Sequence, residues 1–174
     1  NPSKLHLNDL QNRMQIYSKK KMPSMENKYY PRYFNIYELI PPEVFTLEDM
    51  EATEKHMQPG WVFLENRLLE TIDVVREIIG YPLICNTWFQ DGNRKYCGWR
   101  PKYCSVGAPL SQHKEGNAVD LICPYMSAEE MRQKIYDNRD RLPYPIRIEK
   151  DVTWLHIDCK EMDYNGKKIY FFKG

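Results

Sequence analysis

A chain of 174 residues is long enough to bury one sizeable core and short for two. With 25 Lys and Arg against 24 Asp and Glu its charge is balanced, which excludes both the basic footprint of a nucleic-acid binder and an acidic solvating tail. No apolar run reaches the length of a membrane span, and no signal-peptide pattern is read at the start.

In chain order, residues 1–30 are polar, rich in Lys, Asn and Met, and read as an N-terminal arm before a single domain over residues 31–174. The run Lys19, Lys20, Lys21 has no interleaved aromatics, so it reads as a solvated face or a docking tail rather than a nucleic-acid patch. Tyr33 to Glu43 is a short apolar turn that stops at Pro41 and Pro42. Thr46 with Asp49 opens a short helix through Lys55, ended by Pro59 and Gly60. Leu64, Leu68, Ile72, Val75 and Ile79 recur at helical spacing and predict a helix over Trp61 to Ile79, with Gly80 as its stop. Pro82 to Thr87 reads as a short buried strand, leading to an insert in which Trp88 and Phe89, with Trp99 beyond, wall a cleft or fill the core.

Further on, Ser127 and Glu130 form a capping box for a helix of about three turns running to Asn138 or Arg139, ended by Pro143 and Pro145. Pro145 to Glu149 and Thr153 to Cys159 read as a hairpin, and Lys168 to Phe172 adds a strand that closes an antiparallel sheet. The five cysteines, Cys85, Cys97, Cys104, Cys123 and Cys159, are odd in number and contain no C-x-x-C pair. That argues against a disulfide framework and a zinc knuckle, and it suits a reducing compartment. Cys97 and Cys104 flank Arg100, and their pairing is the minority reading.

Two segments carry the chemistry, SQHKEGNAVD from Ser111 to Asp120 and WLHID from Trp154 to Asp158. Imidazoles at His113 and His156 with a carboxylate at Asp120 make a ligand set suited to zinc, and three protein ligands leave a fourth position open for a water. Gly116 permits a turn of positive φ between His113 and a strand over Asn117 to Ile122, in which Ala118 and Asp120 share the site face. Trp154, His156 and Asp158 share one face of the later strand.

The string S-x-H-x-x-G-x-A-x-D followed by W-x-H-x-D resembles the signature of the M15 family of zinc peptidases, which comprises D,D-carboxypeptidases and L-alanyl-D-glutamate endopeptidases and shares its fold with the Hedgehog signalling domain. The stretch CGWRPKYCSVGAPLS from Cys97 to Ser111 is similar to that family's approach to its first histidine, and the likeness is strongest to bacteriophage variants. The resemblance implies an α+β fold, a small antiparallel sheet with flanking helices and one zinc ion on the sheet. It implies hydrolysis of an amide bond in peptidoglycan stem peptides, in cell-wall lysis or phage entry. The enzyme would be made in the host cytoplasm or carried in the phage particle, where the arm could dock to other particle proteins. By the same likeness Arg100 would hold a substrate carboxylate, Ser111 would orient a ligand or substrate and Trp154 would wall the site. Asp158 would steady a ligating imidazole.

The family places a glutamate shortly before the final histidine, and Glu149 is the match as general base. A four-residue turn over Lys150 to Thr153 would put Glu149 on the face of His156, whereas a three-residue turn would favour Asp151. The alternatives to the wall peptidase are a metal-containing structural or binding module of a phage particle with the same fold, and a metallopeptidase acting on free dipeptides. A closed cavity would favour dipeptides and an open groove the wall.

Overall fold

A computed structural model describes residues 27–174. The basic run Lys19 to Lys21, and the arm through residue 26, lie outside the described residues. The regular elements are α1 (Ile36–Leu39), α2 (Asn66–Ile79), β1 (Ala118–Leu121), α3 (Ala128–Asp137), β2 (Ile146–Glu149), β3 (Leu155–Asp158) and β4 (Ile169–Phe172), joined by short 3-10 turns. The molecule is α+β with a small four-stranded sheet. Among the described residues no helix is long and apolar enough to cross a membrane.

Strand order is β1-β3-β2-β4. β3 runs antiparallel to both neighbours, pairing Ala118 with Asp158, Asp120 with His156 and Arg147 with Asp158. The expectation of a wholly antiparallel sheet is corrected at β4, which lies parallel to β2 with Arg147 opposite Tyr170 and Glu149 opposite Phe172. The cause is the connection after β3. It stays at the end of the sheet where β2 begins and crosses to the far side of β2, so β4 sets out in the same direction.

Alternation divides the sheet into two faces. Val119, Leu121, Ile146, Ile148, Leu155, Ile157 and Ile169 are buried on the back, where α3 packs on β3 and α2 joins the same core through α3. Asp120, Arg147, Glu149, His156, Asp158 and Phe172 fall on the front and line the cleft. Each fully buried Leu or Ile contributes about 2 kcal/mol of hydrophobic stabilisation.

α2 carries the expected stripe, with Leu68, Leu69, Ile72, Val75 and Ile79 fully buried. Gly80 closes it at φ 81, its N–H donating to the Arg76 carbonyl at 3.0 Å. The helix starts later than the spacing suggests. Trp61–Phe63 is a 3-10 turn entered from Gly60 at φ 100, and the Glu65 N–H donates to the Gly116 carbonyl at 2.9 Å instead of joining a helix. α3 has its capping box, with Glu130 N–H donating to Ser127 Oγ at 3.1 Å and Ser127 N–H to Glu130 Oε2 at 2.7 Å.

Three further expectations change. Tyr33 to Glu43 contains a helical turn, α1, because Asn35 and Glu38 cap it reciprocally. Thr46 and Asp49 make their box, but the chain continues only as 3-10 turns at Asp49–Glu51 and Lys55–Met57, since no apolar stripe there rewards a longer helix. The strand expected over Pro82 to Thr87 reduces to an isolated bridge between Ile84 and Ile122. Residues 28–33 already belong to the packed unit: Tyr29 Oη donates to Asp73 at 2.6 Å, and Tyr30 meets Trp61 edge-on at 5.6 Å.

Candidate metal centre

Gly116 is the residue that makes the site local. It sits at φ 73 at the end of a 3-10 turn over Gln112–Glu115, and a Cβ there would collide with the Phe63 carbonyl oxygen. Ser111 caps that turn by accepting the His113 N–H at 3.3 Å, so the serine acts on the histidine that follows it. The chain then enters β1 and brings Asp120 opposite His156. His113, Asp120 and His156 offer ligand atoms that all lie within 4.8 Å of one another.

Hydrogen bonds select which ring nitrogen faces the centre. His113 Nδ1 lies 2.8 Å from the Gly98 carbonyl, which can only accept, so the proton is on Nδ1 and the Nε2 lone pair faces inward. Burial holds His113 below the usual imidazole range, against the pull of Asp120. Its Nε2 is 3.2 Å from Asp120 Oδ1. A lone pair and a carboxylate oxygen at that distance repel unless a cation lies between them. His156 presents Nδ1 to the same Oδ1 at 2.8 Å and gives Nε2 to Asp158 Oδ2 at 2.9 Å. Two ligand atoms held tetrahedrally about 2.1 Å from a common ion stand about 3.4 Å apart. The donor atoms are therefore His113 Nε2, Asp120 Oδ1 and His156 Nδ1, and their spacing fits a metal ion.

The ligands are themselves held. Arg100, 7% exposed, donates from Nη2 to Asp120 Oδ2 at 3.0 Å and from Nε to the Tyr96 carbonyl at 2.6 Å. Its guanidinium thus orients the ligand carboxylate and leaves Oδ1 for the metal, a different engagement from the substrate-carboxylate role implied by resemblance. Burial opposes ionisation of Asp120, but the hydrogen bond from His156 outweighs it and keeps its carboxyl well below the usual range. Asp158, fully buried, accepts from His156 and steadies the ring as expected.

Three arginines escaped the sequence reading. Arg147 grips Asp158 with two bonds of 2.8 Å and stacks on Phe172 at 4.3 Å. Alternation alone could have found it, since it lies two residues before Glu149 on the same strand. Arg94, in the insert, donates to the Asp120 backbone carbonyl at 3.0 Å. Arg132, 5% exposed on α3, donates to the carbonyls of Glu149, Val152 and Trp154 at 3.1 to 3.3 Å.

Around the three ligands lies a cleft of about 630 Å³, lined also by Ser111, Glu149, Trp154 and Lys160. Its lip is exposed at Leu110, Val106 and Trp154. Continuing the β2–β3 register by one residue sets Glu149 across from His156 on the front face. The connection is longer than a four-residue turn, since six residues separate Glu149 from its partner His156, but the parity is the same. Asp151 sits at the turn tip at φ 63, exposed, and pairs with Lys173 at 2.7 Å. Trp88 packs with Tyr37, Phe45 and Phe89, and Trp99 stacks on Phe63 at 4.6 Å, so these rings fill the fold rather than wall the cleft. All five cysteines are free. No protein-family model, curated protein or solved structure matches the chain.

Proposed function

We propose that the protein is a zinc-dependent peptidase that hydrolyses an amide bond in peptidoglycan stem peptides, with the fold of the D,D-peptidases and the Hedgehog domain. One observation carries the reading: His113 Nε2, Asp120 Oδ1 and His156 Nδ1 converge in an open cleft that Glu149 also lines. Two imidazoles and a carboxylate suit zinc, and three ligands match a catalytic rather than a closed structural site. The exposed lip supports a polymeric substrate over a free dipeptide. The S-x-H-x-x-G-x-A-x-D and W-x-H-x-D strings supply the substrate class, with a bacteriophage lysis or entry setting.

Bound by these residues, zinc supplies Lewis acidity toward a carbonyl and toward water. Glu149 takes the proton of the attacking water and returns it to the leaving amine nitrogen. Arg100 keeps Asp120 ionised and one oxygen free, while Asp158 keeps the His156 proton on Nε2. Trp154 bounds the cleft beside Glu149, and Ser111 holds the turn that carries His113. The test measures zinc content and release of new amino groups from purified peptidoglycan on one preparation. The native chain should hold one zinc, His113→Ala should lose it, and Glu149→Ala should keep it while release falls about a thousandfold. Zinc retained by a native chain that releases nothing from any wall type would replace the hydrolase with a metal-containing structural module.

A further inference from the structure

Beyond the metal cleft lies a second depression of about 510 Å³, and the two share Leu110, Gln112 and Lys160 in their walls. They adjoin at these residues. We propose that this second depression is a binding site for the far end of an extended peptide, one that carries a free carboxylate and a free amine. The proposal rests on the peptidase reading of the cleft.

Three observations point to such an occupant. Arg67 and Lys160 bring two cations to the wall and Glu65, Glu115 and Glu161 three carboxylates, and Arg67, Lys160, Glu65 and Glu161 form no ion pair among the described residues. Opposite charges held apart around a hollow are satisfied together by a ligand bearing both signs. Asn117, 6% exposed, lines the same hollow; its Nδ2 donates to the Cys159 carbonyl at 2.8 Å, and its Oδ1 is a buried acceptor without a donor. A peptide N–H is the partner that fits it. Finally, Asn117 stands three residues before Asp120, and the Cys159 N–H donating to its carbonyl at 3.0 Å extends the β1–β3 ladder to it. At ~3.3 Å per residue the backbone at Asn117 is about 10 Å from that at Asp120, the reach of three extended residues. Leu110, 91% exposed, forms the apolar sill between the two depressions.

The experiment uses the full chain loaded with zinc and carrying Glu149→Gln, so that ligands bind without turnover. Calorimetry compares acetylated alanine peptides of two and five residues, the longer ending in lysine with its α-carboxylate free. The five-residue peptide should bind about tenfold more tightly or better, and amidating its carboxylate should remove most of that gain. Arg67→Glu should abolish the gain without changing zinc content, and Arg67→Lys should retain part of it. Equal affinity for both lengths, or a gain that survives Arg67→Glu, overturns the second site. Amine release from peptidoglycan by the native chain reads the peptidase separately. A length-dependent gain without release keeps the site and removes the peptidase, and release without the gain does the reverse.

Discussion

Gly116 and Asp158 show how single positions hold this centre. At Gly116 both the backbone at φ 73 and the Phe63 carbonyl against it forbid a side chain. Gly116→Ala should therefore lower stability by about 3 kcal/mol and swing the His113 turn off Phe63. Thermal melts check the first effect and zinc titration the second; an alanine variant of native stability and affinity would remove the role assigned to this glycine. Asp158 accepts from His156 at the ring nitrogen remote from the candidate metal position and is gripped by Arg147. Asp158→Asn leaves Arg147 without its counter-charge and weakens the hold on the imidazole. Zinc affinity should fall about 10- to 100-fold. Competition with a chelator of known affinity measures that, and an unchanged affinity would reduce Asp158 to a packing role.

The connection between β2 and β3 delivers Glu149 at one end and His156 at the other, and α3 fixes it from behind. Arg132 gives its donors to three carbonyls of that connection, so a buried guanidinium rather than a tight turn defines the loop. Arg132→Ala should leave zinc bound, since His113 and Asp120 belong to other elements, and lower kcat about tenfold or more with little change in KM. A shift confined to KM would mean that the loop only binds substrate. At this scale the chain was legible where the signal is local. The α2 stripe, both ends of α3 and the His113-to-Asp120 string are written within one or two turns of themselves. Glu149 fell on the correct face because parity survives an error of two residues in loop length. The direction of β4, the broken entry to α2 and the reach of Arg132 and Arg94 depend on contacts between distant segments, which no window of sequence contains.

For the molecule as a whole, a metal ion at the proposed centre would compete with a proton for one atom. Without metal, His156 lies between Asp120 and Asp158, and both ring nitrogens are needed as donors. Burial works against the charged ring, yet the hydrogen bonds to the two carboxylates outweigh it and raise its pKa from 6.5 to about 9. A folded pKa above the unfolded one gives stability that is fully present below pH 6.5 and lost as pH rises through 9. The loss should be on the order of 3 kcal/mol in chelated protein. On the proposed reading zinc at Nδ1 would expel that same proton, so affinity should rise about tenfold per pH unit up to pH 9 and then level off. The two trends have opposite signs: the chelated chain is most stable under mildly acidic conditions, whereas zinc adds most stability toward pH 9. Melting curves at pH 6, 7, 8 and 9, with chelator and with excess zinc, should diverge steadily. Calorimetry in buffers of different ionisation enthalpy should count close to one proton released per zinc at pH 7. Parallel melting curves, or binding without proton release, would mean that His156 is neutral in the metal-free fold and that its two carboxylate contacts do not share a charged ring.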